Sequence, residues 1–142
     1  MHLSARILRN VIDINHWQDA NQAEVFEGQS NEIYLRLVDL GWSTSAVPEQ
    51  STAFNEFPIR FISQATNIAV TAIFRDIDED SEFEVVGTQP FEQDRSIFKF
   101  TLNSDQMPNP GNLLVSVNED GNVRFFTIQS AISTILTNRG GC

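Results

Sequence analysis

One lysine, one cysteine, one tyrosine and two histidines are all that the 142-residue chain supplies of those types. The cysteine is Cys142, so no internal disulfide is available and the fold stands without a covalent framework. Cys142 is left as an intermolecular link, a metal contact or a plain exposed thiol. His2 and His16 are 14 positions apart, with no cysteine or acidic cluster at ligand spacing, which speaks against a metal centre. The chain has no phosphate-cradling glycine loop, no dinucleotide fingerprint and no nucleophile elbow. The catalytic and metal sets are therefore read as empty, no cofactor is expected, and the chain is expected not to be an enzyme. No apolar run approaches the roughly 18 residues of a membrane span. The first residues, MHLSARILRNVIDINHW, lack the apolar core and small-residue cleavage site of a secretory signal, so assembly in a cytosol is expected.

Positive charge is also scarce. Nineteen acidic residues face nine basic ones, a net charge of −10, with Lys99 the lone lysine. Phosphate neutralisation needs Lys and Arg, so nucleic acid is not expected as a direct partner. The charge suits a soluble protein, or one that docks on a basic partner surface. Apolar residues are plentiful by contrast: they make up 41% of the chain, with eleven phenylalanines, enough for the core of one domain.

The apolar pattern has a period of two. In Glu32-Ile-Tyr-Leu-Arg-Leu-Val-Asp39, Ile33, Leu35 and Leu37 alternate with Tyr34, Arg36 and Val38, which predicts a strand with the first set inward. Residues 67–76 read as a strand that is apolar on both faces, hence central in its sheet. Residues 24–27, 83–86 and 96–102 read as further strands. In Ser96–Leu102, Phe98, Phe100 and Leu102 oppose Ile97, Lys99 and Thr101. Gly111–Ile128 reads as two strands about an Asp120-Gly121 turn, because glycine tolerates the positive φ of tight hairpins. Ile128, Ala131, Ile132, Ile135 and Leu136 fit helical spacing, but β-prone Ile, Thr and Ser favour a strand.

These elements predict an all-β fold: an antiparallel β-sandwich, Ig-like in broad shape, with an N-terminal arm and one long loop excursion. Residues 1–22 read as the arm with a first strand of little core obligation. Residues 23–137 form the sandwich, with the excursion at 41–66, and 138–142 a flexible tail. In the first strand Leu8, Ile12 and Ile14 share a face that Asn10 interrupts.

Candidate contact residues follow from misplaced aromatics and polar rims. Trp17 lies in a polar stretch, either capping the core or meeting a partner. The excursion carries two prolines with Trp42, Phe54 and Phe57, too apolar for a solvated linker. Asp94 and Arg95 precede a strand and mark its rim, as a local ion pair or as a neighbour's anchor. Asp76-x-Asp78-x-Asp80 begins like a calcium loop, but Ser81 and Gly87 stand where glycine and glutamate are required. That excludes an EF-hand and leaves a looser cation site or a solvated acidic turn.

Several segments together resemble small β-sandwich virion proteins of tailed bacteriophages. They are Glu27–Asp39, Phe57-Pro-Ile-Arg-Phe61, Thr66–Phe74, Gln89–Phe98 and Gly111–Val123, spanning roughly residues 24–128. The shared features are strand patterns and turns, so the resemblance transfers no catalytic residue. It implies a non-enzymatic structural subunit, in the capsid decoration or in the neck, tail or baseplate, holding neighbours together through its arm and long loop. The implied partners are other virion structural proteins, in a homo-oligomer or symmetric array without a membrane. The implied location is the virion, assembled in the host cytoplasm. Two other readings remain: a carbohydrate- or cell-surface-binding module, and a small hydrolase.

Overall fold

The computed structural model describes residues 3–39, 60–61, 68–77, 81–93, 95–119 and 121–136. They form ten strands in two sheets, with no helix among the described residues. The first sheet holds β1 (Leu3–Asp13), β2 (His16–Ala20), β4 (Asn31–Asp39), β5 (Arg60–Phe61) and β8 (Ile97–Leu102). Its order is β2–β1–β4, with β8 and β5 both pairing with β4. The second sheet runs β3 (Ala23–Phe26), β10 (Asn122–Ile135), β9 (Gly111–Glu119), β6 (Ile68–Arg75), β7 (Glu82–Val86). The architecture is a β-sandwich, and every described ladder but one is antiparallel.

The inward sets are those that alternation marks. Ile33, Leu35 and Leu37 from β4 meet Phe98, Phe100 and Leu102 from β8, all buried. From the other sheet come Val70, Ala72 and Phe74 of β6 with Leu113, Val115 and Val117 of β9. Phe74 stacks on Phe83 with ring centroids 5.2 Å apart, which closes the core under β7. β6 lies between β9 and β7, the central place its two apolar faces predict.

Three features depart from the expectations. First, the arm is bound into the sandwich. β1 pairs with β4 from Leu3↔Asp39 to Leu8↔Tyr34, and Ile7 and Leu8 are buried. The first strand therefore carries core obligation, and Trp17 sits on the edge strand β2 of its hairpin. Asn10 has φ 54, a left-handed turn of backbone that breaks the alternation. Ile12 beyond it is exposed while Leu8 before it is buried.

Second, one ladder is parallel. The last part of β10 runs alongside β3, Ile132↔Ala23 to Ile135↔Phe26. Third, β10 runs through the ambiguous segment as the strand its β-prone residues favour, but departs from a single alternation by a register shift between Ile128 and Ile132. Ser130 there has φ 51. The bulge joins two strand phases, so Ala131 and Ile132 are both buried in succession. Two period-two patterns joined out of phase imitate helical spacing.

Candidate functional site

The two sheets turn different chemistry outward. On the first sheet the register puts Arg6 and Leu8, Tyr34 and Arg36, and Ile97 and Lys99 on the outer face. This face is already engaged within the chain. The Arg36 guanidinium lies 5.0 Å over the Trp17 ring, and the indole N–H donates to the Ile14 carbonyl at 3.0 Å. Arg6 pairs with Asp19 at 3.8 Å, and Lys99 with Glu32 at 3.3 Å. Leu8, Val38 and Ile97 are buried on this side too, so a strand expected to be apolar on one face is buried on both. Burial pushes the Tyr34 phenol above its ordinary value; the Glu32 carboxylate adds to the rise and Lys99 opposes it.

The outer face of the second sheet is different. Cross-strand register lines up Val86, Thr71, Ser116 and Phe125 in one row over β7, β6, β9 and β10. Val86 is 66% exposed and Phe125 61%. Val123, two residues before Phe125 and on the same face, is 51% exposed. Ile73 and Leu114 are neighbours in the adjoining row, half-buried. Glu82 and Glu84 share this face on β7, because the alternating Phe83 and Val85 pack against the core. Neither carboxylate has an ion-pair partner among the described residues.

A cleft of about 620 Å³ opens where β1 leaves β4 beyond Leu8. It is lined by Asn10, Phe26, Asn31, Glu32 and Tyr34 among others. Asn31 braces its floor: its carboxamide accepts from the Phe26 N–H at 3.0 Å and donates to the carbonyls of Phe26 at 3.0 Å and Gln29 at 2.9 Å. The cleft presents no nucleophile beside a base. His16 Nδ1 lies 2.8 and 2.9 Å from the two oxygens of Asp13, where it closes the β1–β2 turn. The Asn15 N–H and then the His16 ring hold the Asp13 carboxyl below its ordinary value. Among the described residues no group of three His, Cys, Asp or Glu side chains is placed to hold a metal ion.

Of the contact residues picked from the sequence, Trp17 is half-buried and its ring is taken up by Arg36. Arg95 is exposed and clasped to Gln89, donating to its side-chain oxygen at 3.3 Å while its own carbonyl accepts from Gln89 Nε2 at 2.8 Å. Trp42, Phe54, Phe57 and Asp94 lie outside the described residues, as does part of the acidic turn at 76–82. The exposed Val123 and Phe125 pair on β10 is not among the residues picked from the sequence. Its signal was present in the alternation of β10, where both phases are apolar.

No family model matches the sequence, and no curated protein is similar to it. Among solved structures the chain is similar to the twitchin kinase region from C. elegans (Fn31-NL-kin-CRD-Ig26), at 14% identity and a TM-score of 0.33. The likeness covers 82% of this chain and 15% of that one.

Proposed function

We propose that the chain is a non-enzymatic structural subunit of a tailed-phage virion that holds neighbouring virion proteins together. The observation that carries this reading is the outer face of the second sheet. Val123 and Phe125 stand more than half exposed two residues apart on β10, and Val86 is as exposed at the far end of Phe125's row, while the outer face of the first sheet is laced with intramolecular pairs. Clustered apolar exposure of this kind marks protein contacts. The resemblance of residues 24–128 supplies the setting, and the apolar loop at 41–66 is a second contact in the same reading. The sandwich hairpin of residues 3–20 is part of the sheet in this account, so docking falls to the face and the loop.

A carbohydrate-binding module is the weaker reading. Sugar platforms use exposed Trp or Tyr beside polar groups; here the Trp17 N–H is spent on Ile14, and among the described residues the exposed aromatics are Phe26 and Phe125. A hydrolase would need an activated nucleophile in the cleft, and the serine of the lining, Ser30, donates its hydroxyl to the Leu102 carbonyl at 3.3 Å.

The test is incorporation into the purified source particle, with wild-type chain and Phe125→Glu compared by density-gradient sedimentation and immunoblot. Wild type should sediment with the particle, while Phe125→Glu stays free yet folded by circular dichroism. Absence of the wild-type chain from particles overturns the reading. Equal incorporation of Phe125→Glu removes the face from it.

A further inference from the structure

We infer that the outer face of the second sheet docks on a protein surface whose apolar centre is flanked along one side by lysines or arginines. This rests on the docking reading above and specifies its partner. The face has a polarity across its strands. Phe125 and Val123 stand on β10; two carboxylates, Glu82 and Glu84, stand with Val86 on β7, three strands away on one side, and a single one, Glu24, on β3 on the other. At about 4.8 Å per strand, β7 with its carboxylates lies about 14 Å across the sheet from β10, the strand of Phe125. Two residues along a strand, their own separation is about 7 Å. The only cation that the register puts on this face, among the described residues, is Arg75 opposite Glu82. The partner complementary to this pattern covers Phe125 with an apolar group and sets two cations about 7 Å apart beside β7.

A second copy of the chain does not supply that pattern. A two-fold axis along the strands lays β7 of one copy over the β10 side of the other, where the described face offers no cation. An axis across the strands lays Glu82 and Glu84 over their own equivalents. Each copy also carries a net charge of −10, so like charges oppose the approach in either geometry.

The experiment uses the full chain, labelled with nitrogen-15, and two capped hexapeptides as probes: Lys-Phe-Lys-Val-Lys-Phe and its counterpart with Glu for each Lys. The basic peptide should shift the amides of Glu84, Val86 and Phe125. Glu82→Gln with Glu84→Gln should weaken its binding roughly five- to tenfold, as two lost surface ion pairs do, and added salt should do the same. Equal binding of the acidic peptide, or shifts confined to the first sheet, overturns the inference. Sedimentation velocity of the chain alone is the second arm: a dimer abolished by Phe125→Glu assigns the face to a second copy and also overturns it. Particle incorporation separates the two levels. If Phe125→Glu is excluded while the double Gln variant incorporates like wild type, docking stands and the basic partner falls. If both incorporate like wild type, the docking reading itself fails.

Discussion

Gly87 is the residue at which the chain leaves the second sheet for the first, and replacing it with alanine tests the packing there directly. Its N–H donates to the Val70 carbonyl at 2.8 Å, and the next residue, Thr88, exchanges two backbone hydrogen bonds with Lys99 at 2.8 and 2.9 Å. The backbone is thus held on both sides. A Cβ built at Gly87 would stand 2.8 Å from Cε2 and 2.8 Å from Cζ of Phe100, and 3.2 Å from the Val70 oxygen. The Phe100 ring is fully buried at 0% exposure, so it cannot swing into solvent. Gly87→Ala therefore overpacks the core at a cost of about 1–3 kcal/mol. Loss of glycine's freedom in the unfolded chain offsets about 0.4–1 kcal/mol of that. The net loss should be about 1–2 kcal/mol, read as a lowered urea midpoint at unchanged slope by far-ultraviolet circular dichroism. Phe100→Ala alone should cost about 3–5 kcal/mol. In the double variant the alanine methyl enters the space the ring has left, so adding Gly87→Ala should cost close to nothing. The coupling energy should then be about 1–2 kcal/mol. If Gly87→Ala costs the same with and without the ring, the ring is not what the methyl meets, and the account of this crossing is wrong.

Three further outcomes are expected. Asn31→Ala removes three hydrogen bonds from a nearly buried carboxamide and strands the Phe26 backbone groups, so it should cost about 2–3 kcal/mol in urea titration; a loss under about 0.5 kcal/mol would show that the turn is held by other contacts. Ser130, at φ 51, should accept glycine with little change, whereas Ser130→Val should lose about 1–2 kcal/mol by calorimetry. The Asp13 carboxyl binds its proton less tightly in the folded chain than its ordinary 3.8, so its contribution is present at neutral pH and is lost as the pH falls through the folded value. An NMR titration should show His16→Ala raising the Asp13 value only part of the way, because the Asn15 N–H is the larger cause.

The strands of the core were legible because their two faces differ in register with the pleat. Ile33, Leu35 and Leu37, like Phe98, Phe100 and Leu102, are the wholly apolar phase of their strands, and that phase is the one turned to the core. Legibility fails where the phase changes. Among the described residues Asn10 and Ser130 carry the positive φ values outside glycine; asparagine favours that geometry but serine gives no sign of it, so the sequence shows an interruption at Asn10 and none at the shift in β10. The parallel pairing of β3 with β10 is long-range and has no local signature. The face proposed for docking was hidden for a related reason. In Asn122–Ile128 alternation puts Arg124 with Phe126 and Ile128 and leaves Val123 and Phe125 on the other face, so the sequence pattern does not single out one apolar face. The structure turns the first set inward, since Arg124, Phe126 and Ile128 pair with the inward Val117, Val115 and Leu113. Aromatics in loops drew attention instead, and Trp17 proved to be spent within its own sheet.

The parallel ladder sets the order in which the molecule can be completed during synthesis. Ala23 waits for Ile132, so the strand that fills the place between β3 and β9 is the last one to leave the ribosome. Until then β3 has no neighbour in its sheet, and the buried Val25 has only part of its surroundings. β9 meanwhile shows an open edge. A chain elongating at about 5–20 residues per second holds that edge exposed for seconds, long enough for pairing with another nascent copy on the same message. The proline pair in Met107-Pro-Asn-Pro-Gly111, just ahead of β9, cannot donate to a foreign ladder and so shortens the stretch at risk.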